Sequence, residues 1–156
     1  MIREATPRDL TRLRAIQLAA LDEPWADLLE PAIEGPPVVL VTTDTTAEPS
    51  SGTVGKPGSD TRAEPVGYAV AIPEGDVAYL AEFAVAAGYR RSGRGSALMA
   101  ALCARLASDG FEAVRLTVKM DDEVARSFYD ALGFRVRSLI PHHYEDGDGL
   151  QLVRSL

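Results

Sequence analysis

Cysteine, lysine, histidine and tryptophan are all scarce in this chain of 156 residues, which has one, two, two and one of them. A single cysteine, Cys103, excludes an intrachain disulfide framework and suits a reducing compartment. Cys103 falls inside a helical spacing of apolar residues, which fits a buried structural thiol better than a nucleophile. His142 and His143 are adjacent, but no other histidine and no nearby cysteine completes a ligand set, so no metal is expected. No apolar run reaches membrane-spanning length and the chain does not start with a signal peptide. The expectation is a cytoplasmic protein without a membrane partner. Basic charge is also short. The net charge is −7, Lys56 and Lys119 are the only lysines, and the arginines form no long stripe. Nucleic acid is not an expected partner.

What remains is ordinary for a soluble α/β domain. Hydrophobic residues make up 46% of the chain. A chain of this length buries about 70% of its unfolded surface, so one domain over residues 1–156 needs no staple. The most structured stretch runs from Asp76 to Gly110. Val77, Tyr79, Ala81, Phe83 and Val85 alternate with their neighbours and read as a strand. Gly88 and the run Tyr89-Arg90-Arg91-Ser92-Gly93-Arg94-Gly95 break that period. From Ser96 the apolar residues Ala97, Leu98, Ala101, Leu102 and Leu106 recur at helical spacing, and Gly110 marks a stop.

A helix that starts directly after a glycine loop offers unpaired N–H groups and the positive end of its dipole. Gly93 and Gly95 have no side chain to hold an anion away, and Arg90, Arg91 and Arg94 add positive charge. Residues 90–96 therefore read as a pyrophosphate cradle. A solvated strand-to-helix connection carries the same residues, and the loop alone does not separate the two. No GxGxxG opens this helix and no Gly-Lys-Ser/Thr follows, so neither a dinucleotide fingerprint nor a Walker loop is present.

The rest of the chain follows in order. Met1 to Ala5 reads as an edge strand, and Thr6-Pro7-Arg8-Asp9 as a helix start. Leu10, Leu13, Ile16, Leu18 and Leu21 predict an amphipathic helix. Glu23-Pro24-Trp25 breaks it, and a second short helix is expected at about 26–33. Val38 to Thr42 reads as a buried strand. Residues 43–65 are rich in Thr, Ser, Asp, Glu, Gly and Pro, and predict a flexible insertion before a strand at Val66 to Ile72. Phe111 to Val118 predicts a further strand. Asp121 or Asp122 caps a helix with Val124, Phe128 and Leu132 at four-residue spacing, stopped by Gly133. Phe134 to Ile140 and Leu150 to Val153 read as closing strands joined by a loop at 141–149.

Val85 followed by Arg90-x-x-Gly93-x-Gly95 opening a helix resembles the acyl-coenzyme A loop of the GNAT N-acetyltransferases. Leu116-Thr117-Val118 looks like the strand that follows it. Asp122, Ala125 and Tyr129-x-x-x-Gly133-Phe134 fall where that family has N-x-x-A-x-x-x-Y-x-x-x-G-F. The likeness is firm over about 76–135 and loose elsewhere. With Pro24-Trp25, the run Tyr144-x-x-Gly147-x-Gly149-Leu150 looks like the end of ribosomal-protein N-terminal alanine acetyltransferases. Those enzymes close their peptide-amine site with a tyrosine-bearing hairpin.

The resemblance implies a mixed, mostly antiparallel sheet of six to seven strands flanked by about four helices. It also implies direct transfer of an acetyl group from acetyl-CoA, as co-substrate, to a primary amine. Phe83, Val85, Arg90, Arg91, Ser92, Gly93, Arg94, Gly95, Ser96 and Asp122 would bind the coenzyme. A backbone N–H near Val85 would receive the oxyanion. Tyr129 would protonate the leaving thiolate, and Trp25 and Tyr144 would line the acceptor site. Trp25 and Tyr129 also have a reading as packed aromatics. At the position of the glutamate base of the alanine acetyltransferases this chain has Thr117, which cannot accept the proton. Glu82 is the available carboxylate, either as that base or as a structural group. The acceptor is a peptide N-terminus or a small amine, and a homodimer is one expected assembly. The alternative is a noncatalytic acyl-CoA-binding or partner-binding module.

Overall fold

The computed structural model describes residues 1–21, 24–44 and 64–156. The elements run β1 (Ile2–Glu4), α1 (Leu10–Ala20), α2 (Leu29–Glu34), β2 (Val38–Thr43), β3 (Pro65–Glu74), β4 (Val77–Val85), α3 (Arg94–Ser108), β5 (Ala113–Lys119), α4 (Glu123–Ala131), β6 (Arg135–Tyr144) and β7 (Gly147–Ser155). Short 3-10 turns at Pro7–Asp9 and Ala87–Tyr89 precede α1 and α3. The seven strands are hydrogen bonded in the order β1-β2-β3-β4-β5-β7-β6. The pairs β1/β2, β5/β7 and β6/β7 are antiparallel, and β4/β5 is parallel. This is the mixed, mostly antiparallel sheet with four helices that the resemblance implies. Two compact units form, Met1–Val70 with Glu82–Leu98, and Ala71–Ala81 with Met99–Leu156.

In the first unit every residue of β2 is buried, as is β3 from Pro65 to Val70. A strand buried along its whole length must be apolar at consecutive positions, which is why VVLVTT and VGYAV lack charge. Gly67 is required there. A methyl group on it would lie 2.9 Å from the Ala84 carbonyl oxygen and 3.0 Å from Thr42 Cγ2. The start of α1 is set by Asp9, whose carboxylate accepts from the Thr6 N–H at 2.8 Å and from both Arg3 Nη atoms at 2.7 and 2.9 Å. The stripe of α1 differs from the predicted one. Leu13, Ile16 and Gln17 are buried, whereas Leu18 is 72% exposed. Gln17 is four residues from Leu13 and so shares its face, while Leu18 is turned a further 100° or so. The second helix begins at Leu29 rather than at 26. Of the insertion expected at 43–65, residues 45–63 lie outside the described residues. Thr43 and Pro65 belong to β2 and β3.

In the second unit β4 pairs with β5 from Val77↔Ala113 to Tyr79↔Arg115. Val114, Leu116 and Val118 alternate inward and are buried, as are Met99, Leu102 and Leu106 of α3. Cys103 is buried with them, and burial raises its thiol pKa against the opposing charge of Arg154, as suits an unreactive thiol. None of the nine residues of α4 is fully buried, and Val124, in its first turn, is 83% exposed.

The closing strands correct the predicted loop at 141–149. β6 runs on through Pro141-His142-His143 to Tyr144, β7 begins at Gly147, and only Glu145-Asp146 turn between them. The pairing shifts between Ile140↔Gly149 and Tyr144↔Gly147, so three residues of β6 oppose one of β7. That bulge absorbs Pro141, which has no N–H for the ladder, and His142, whose φ is 55°. The Asp148 carboxylate takes the His142 N–H at 2.9 Å. Composition alone signals a loop there because the bulge interrupts the period of two.

Candidate active site

At the end of β4 the backbone turns outward and is pinned. The Ala86 N–H donates to the Val66 carbonyl at 2.7 Å, and Arg90 Nε donates to the Val85 carbonyl at 2.9 Å. Ser92 Oγ donates to the Tyr89 carbonyl at 2.7 Å, which closes the loop on itself. Gly93 then takes φ +81°, and a methyl group there would meet nothing within 4 Å. Helix α3 starts at Arg94, two residues before Ser96, so Gly95 and Ser96 sit in its first turn. First-turn N–H groups have no partner within a helix. Arg91, Ser92, Gly93 and Ser96 are exposed, and Arg94 and Gly95 half-buried. The loop therefore offers open space, backbone donors and guanidinium charge, which fits an anionic group such as a pyrophosphate. Arg94 is already held. It donates to Ser92 Oγ at 2.9 Å and to Asp44 Oδ1 at 3.2 Å, and lies 5.1 Å from the Tyr89 ring centroid.

Glu82 lies on the buried face of β4 with Ala78, Leu80 and Ala84, and is 6% exposed. Its Oε1 accepts from Gln17 Nε2 and from the Tyr68 hydroxyl, both at 2.8 Å. Its Oε2 accepts from the Trp25 backbone N–H at 2.8 Å and from Gln17 Nε2 at 3.1 Å. Gln17 Nε2 also donates to the Trp25 carbonyl at 3.1 Å. Among the described residues the carboxylate has no cationic partner; its donors are all neutral. Burial, with Glu82 beside it, pushes the Tyr68 hydroxyl far above the ordinary tyrosine range. The indole of Trp25 is half exposed while its main chain is tied to Glu82 and Gln17.

In the second unit Asp122 caps α4, with Oδ1 accepting from the Ala125 N–H at 3.0 Å. The Tyr129 ring meets Phe128 and Phe134 edge to face, with centroids 5.2 and 5.6 Å away. Burial of its hydroxyl, and then the charge of Asp122, push its pKa well above the ordinary value. Tyr129 is thus protonated at any physiological pH. Tyr144 points its hydroxyl at the Thr117 carbonyl, 3.5 Å away, with its ring 4.7 Å from that of His143 and 5.4 Å from Lys119 Nζ.

The structure thus brings Glu82 together with Trp25, Arg90 with Val85, Arg94 with Ser92, and Tyr129 with the charge of Asp122. The half-buried Phe83 follows Glu82 on β4. The two catalytic candidates fall in separate units, Glu82 in the first and Tyr129 in the second. Three participants escape a reading of the sequence: Gln17, Tyr68 and Asp44. Two of them carried a signal. Gln17 is a polar residue at an apolar helical position, and Tyr68 is the one hydroxyl in an otherwise apolar strand, where it must find a partner. Asp44 offered none, standing at the edge of a polar segment. Among the described residues no three His, Cys, Asp or Glu side chains gather as a metal site, and no helix is long and apolar enough to cross a membrane.

Residues 11–134 match the model of the acetyltransferase (GNAT) family. No curated protein matches the chain at a significant level. Among solved structures it is similar to Ard1 from Thermoplasma volcanium, with 28% identity and a TM-score of 0.81 over 100% of this chain and 97% of that one. It is similar in fold to the ribosomal-protein-S18-alanine N-acetyltransferase from Escherichia coli, with 21% identity and a TM-score of 0.78 over 99% and 92%. The Arabidopsis thaliana NAA60 in complex with acetyl-CoA has 17% identity and a TM-score of 0.80 over 100% and 99%.

Proposed function

The chain belongs to the acetyltransferase (GNAT) family, and from that premise we propose that it acetylates the free α-amine of a protein or peptide N-terminus. Like its family it is an acetyl-CoA-dependent acyltransferase. Bound acetyl-CoA supplies the acetyl thioester. The chain's own residues hold it and manage the protons.

The cradle at 90–96 holds the pyrophosphate through the first-turn N–H groups of α3, with Arg90, Arg91 and Arg94 adding charge. Ser92 and Gly93 shape the turn, and Gly95 and Ser96 offer N–H groups. Phe83 and Val85 of the first unit, and Asp122 of the second, are each read as coenzyme-binding residues. Asp122 also serves as the cap of α4. Tyr129 keeps its proton across the physiological range and presents it to the departing sulfur. Glu82 is the carboxylate available as a base in this reading, but three donors occupy its oxygens. It receives a proton only if one of them moves away.

The observation that carries the N-terminal reading is the closing hairpin. Its tip places the Tyr144 hydroxyl on the Thr117 carbonyl, in a hairpin like the one with which ribosomal-protein alanine acetyltransferases close a peptide-amine site. The half-exposed Trp25 indole suits the same role in the first unit. Its one cysteine, buried, fits work in a reducing cytoplasm.

Thiol release from acetyl-CoA tests the proposal, measured with alanine- and serine-initiated peptides, polyamines and aminoglycosides. Turnover with the peptides supports it. Turnover with small amines alone makes the enzyme a small-molecule acetyltransferase instead.

A further inference from the structure

The Glu82 cluster joins four separate pieces of the first unit. Gln17 comes from α1, Tyr68 from β3, Glu82 from β4 and the Trp25 main chain from the connection between α1 and α2. Each contact is short, and the two side-chain donors are themselves buried, at 6% and 0% exposure. A carboxylate has about four lone-pair sites, and three donor groups make four contacts with it here. Gln17 does more than donate to the carboxylate. Its amide nitrogen bridges the carboxylate and the Trp25 carbonyl, so the peptide unit at Trp25 is gripped at both its N–H and its C=O. No buried side-chain polar atom among the described residues lacks a partner. Such a fully satisfied network is rigid, because loosening any one member strands the others in low dielectric.

We propose that Gln17, Tyr68 and Glu82 form a positioning unit that fixes the main chain at Trp25 and so sets affinity for the amine acceptor. Glu82 acts in it as an anchor rather than as a proton acceptor. The part concerning the acceptor rests on the reading of Trp25 as a lining residue of the acceptor site. The part concerning the main chain rests only on the contacts above.

Trp25 is the sole tryptophan of the chain, so its fluorescence reports on this position directly, without turnover. Gln17→Leu and Tyr68→Phe each remove one donor and keep the packing volume, and two variants guard against one failing to fold. Acrylamide quenching and anisotropy of Trp25 are read on the full-length protein. Steady-state kinetics with acetyl-CoA and an alanine-initiated peptide run alongside. In both variants quenching rises and anisotropy falls. The KM for the peptide rises by roughly tenfold, as expected for one net hydrogen bond lost to a charged group, while that for acetyl-CoA stays within about twofold. Unchanged Trp25 fluorescence in two folded variants overturns the proposal. A mobile Trp25 with an unchanged peptide KM upholds the anchoring and overturns the acceptor reading of Trp25. Glu82→Gln separates anchor from base. Loss of the acidic limb of the kcat/KM pH profile, with Trp25 fluorescence unmoved, assigns proton transfer to Glu82 and overturns the anchor.

Discussion

Glu82 and Tyr129 place a polar group inside the protein in opposite ways. Glu82 is a carboxylate held by hydrogen bonds from α1, β3 and the connection between α1 and α2. Tyr129 is neutral and is held by aromatic edges, with its acidity suppressed by burial and by the nearby charge of Asp122. The first arrangement costs desolvation and recovers it through donors, so every donor is committed. The second keeps the hydroxyl's proton in place. A carboxylate surrounded by donors is suited to holding a backbone in place, and a protonated hydroxyl to giving a proton to a substrate.

Breaking each side of the contrast has a distinct signature. Tyr129→Phe keeps the ring contacts and removes the proton, so kcat falls by about 10²- to 10⁴-fold with little change in melting temperature. A loss confined to stability argues for a core aromatic only. Glu82→Ala strands Gln17, Tyr68 and the Trp25 N–H, and lowers unfolding free energy by about 3 kcal/mol or more in denaturant titration. A neutral result would mean that water satisfies those donors. The two raised tyrosines sharpen the contrast at alkaline pH. Tyr68 is raised by burial and Glu82, Tyr129 by burial and Asp122. A raised folded pKa contributes stability that is full below the unfolded value of about 10 and is lost as pH rises through the folded one. UV absorbance should therefore show two of the five tyrosines titrating only with alkaline unfolding. Tyr144→Phe is the smallest perturbation. Its hydroxyl contact is long at 3.5 Å, so the peptide KM moves by less than about threefold.

The fold was legible in the sequence wherever period and punctuation agreed. The strand at Val77–Val85, the arginine-glycine loop and the Asp122 cap each carried a local signal that nothing in the tertiary structure overrode. Legibility failed where tertiary contacts decide. A helical wheel fills the apolar stripe of α1 with Leu18, yet the buried place goes to Gln17 because Glu82 awaits it there. The 141–149 segment has the composition of a loop, and only the pairing with β7 makes most of it strand. Glu82 could be named from sequence as a candidate, but the donors around it could not. Tyr68 and Gln17 are distant from it in the chain, and no local pattern links them.

Acetyl-group placement tests the central claim most directly. The substrate is a peptide that begins with alanine and also carries an internal lysine, incubated with acetyl-CoA and sequenced by mass spectrometry. Acetyl on the α-amine alone, lost with Tyr129→Phe, is the predicted result. Acetyl on the lysine side chain, or α-amine acetylation that survives Tyr129→Phe at full rate, contradicts it.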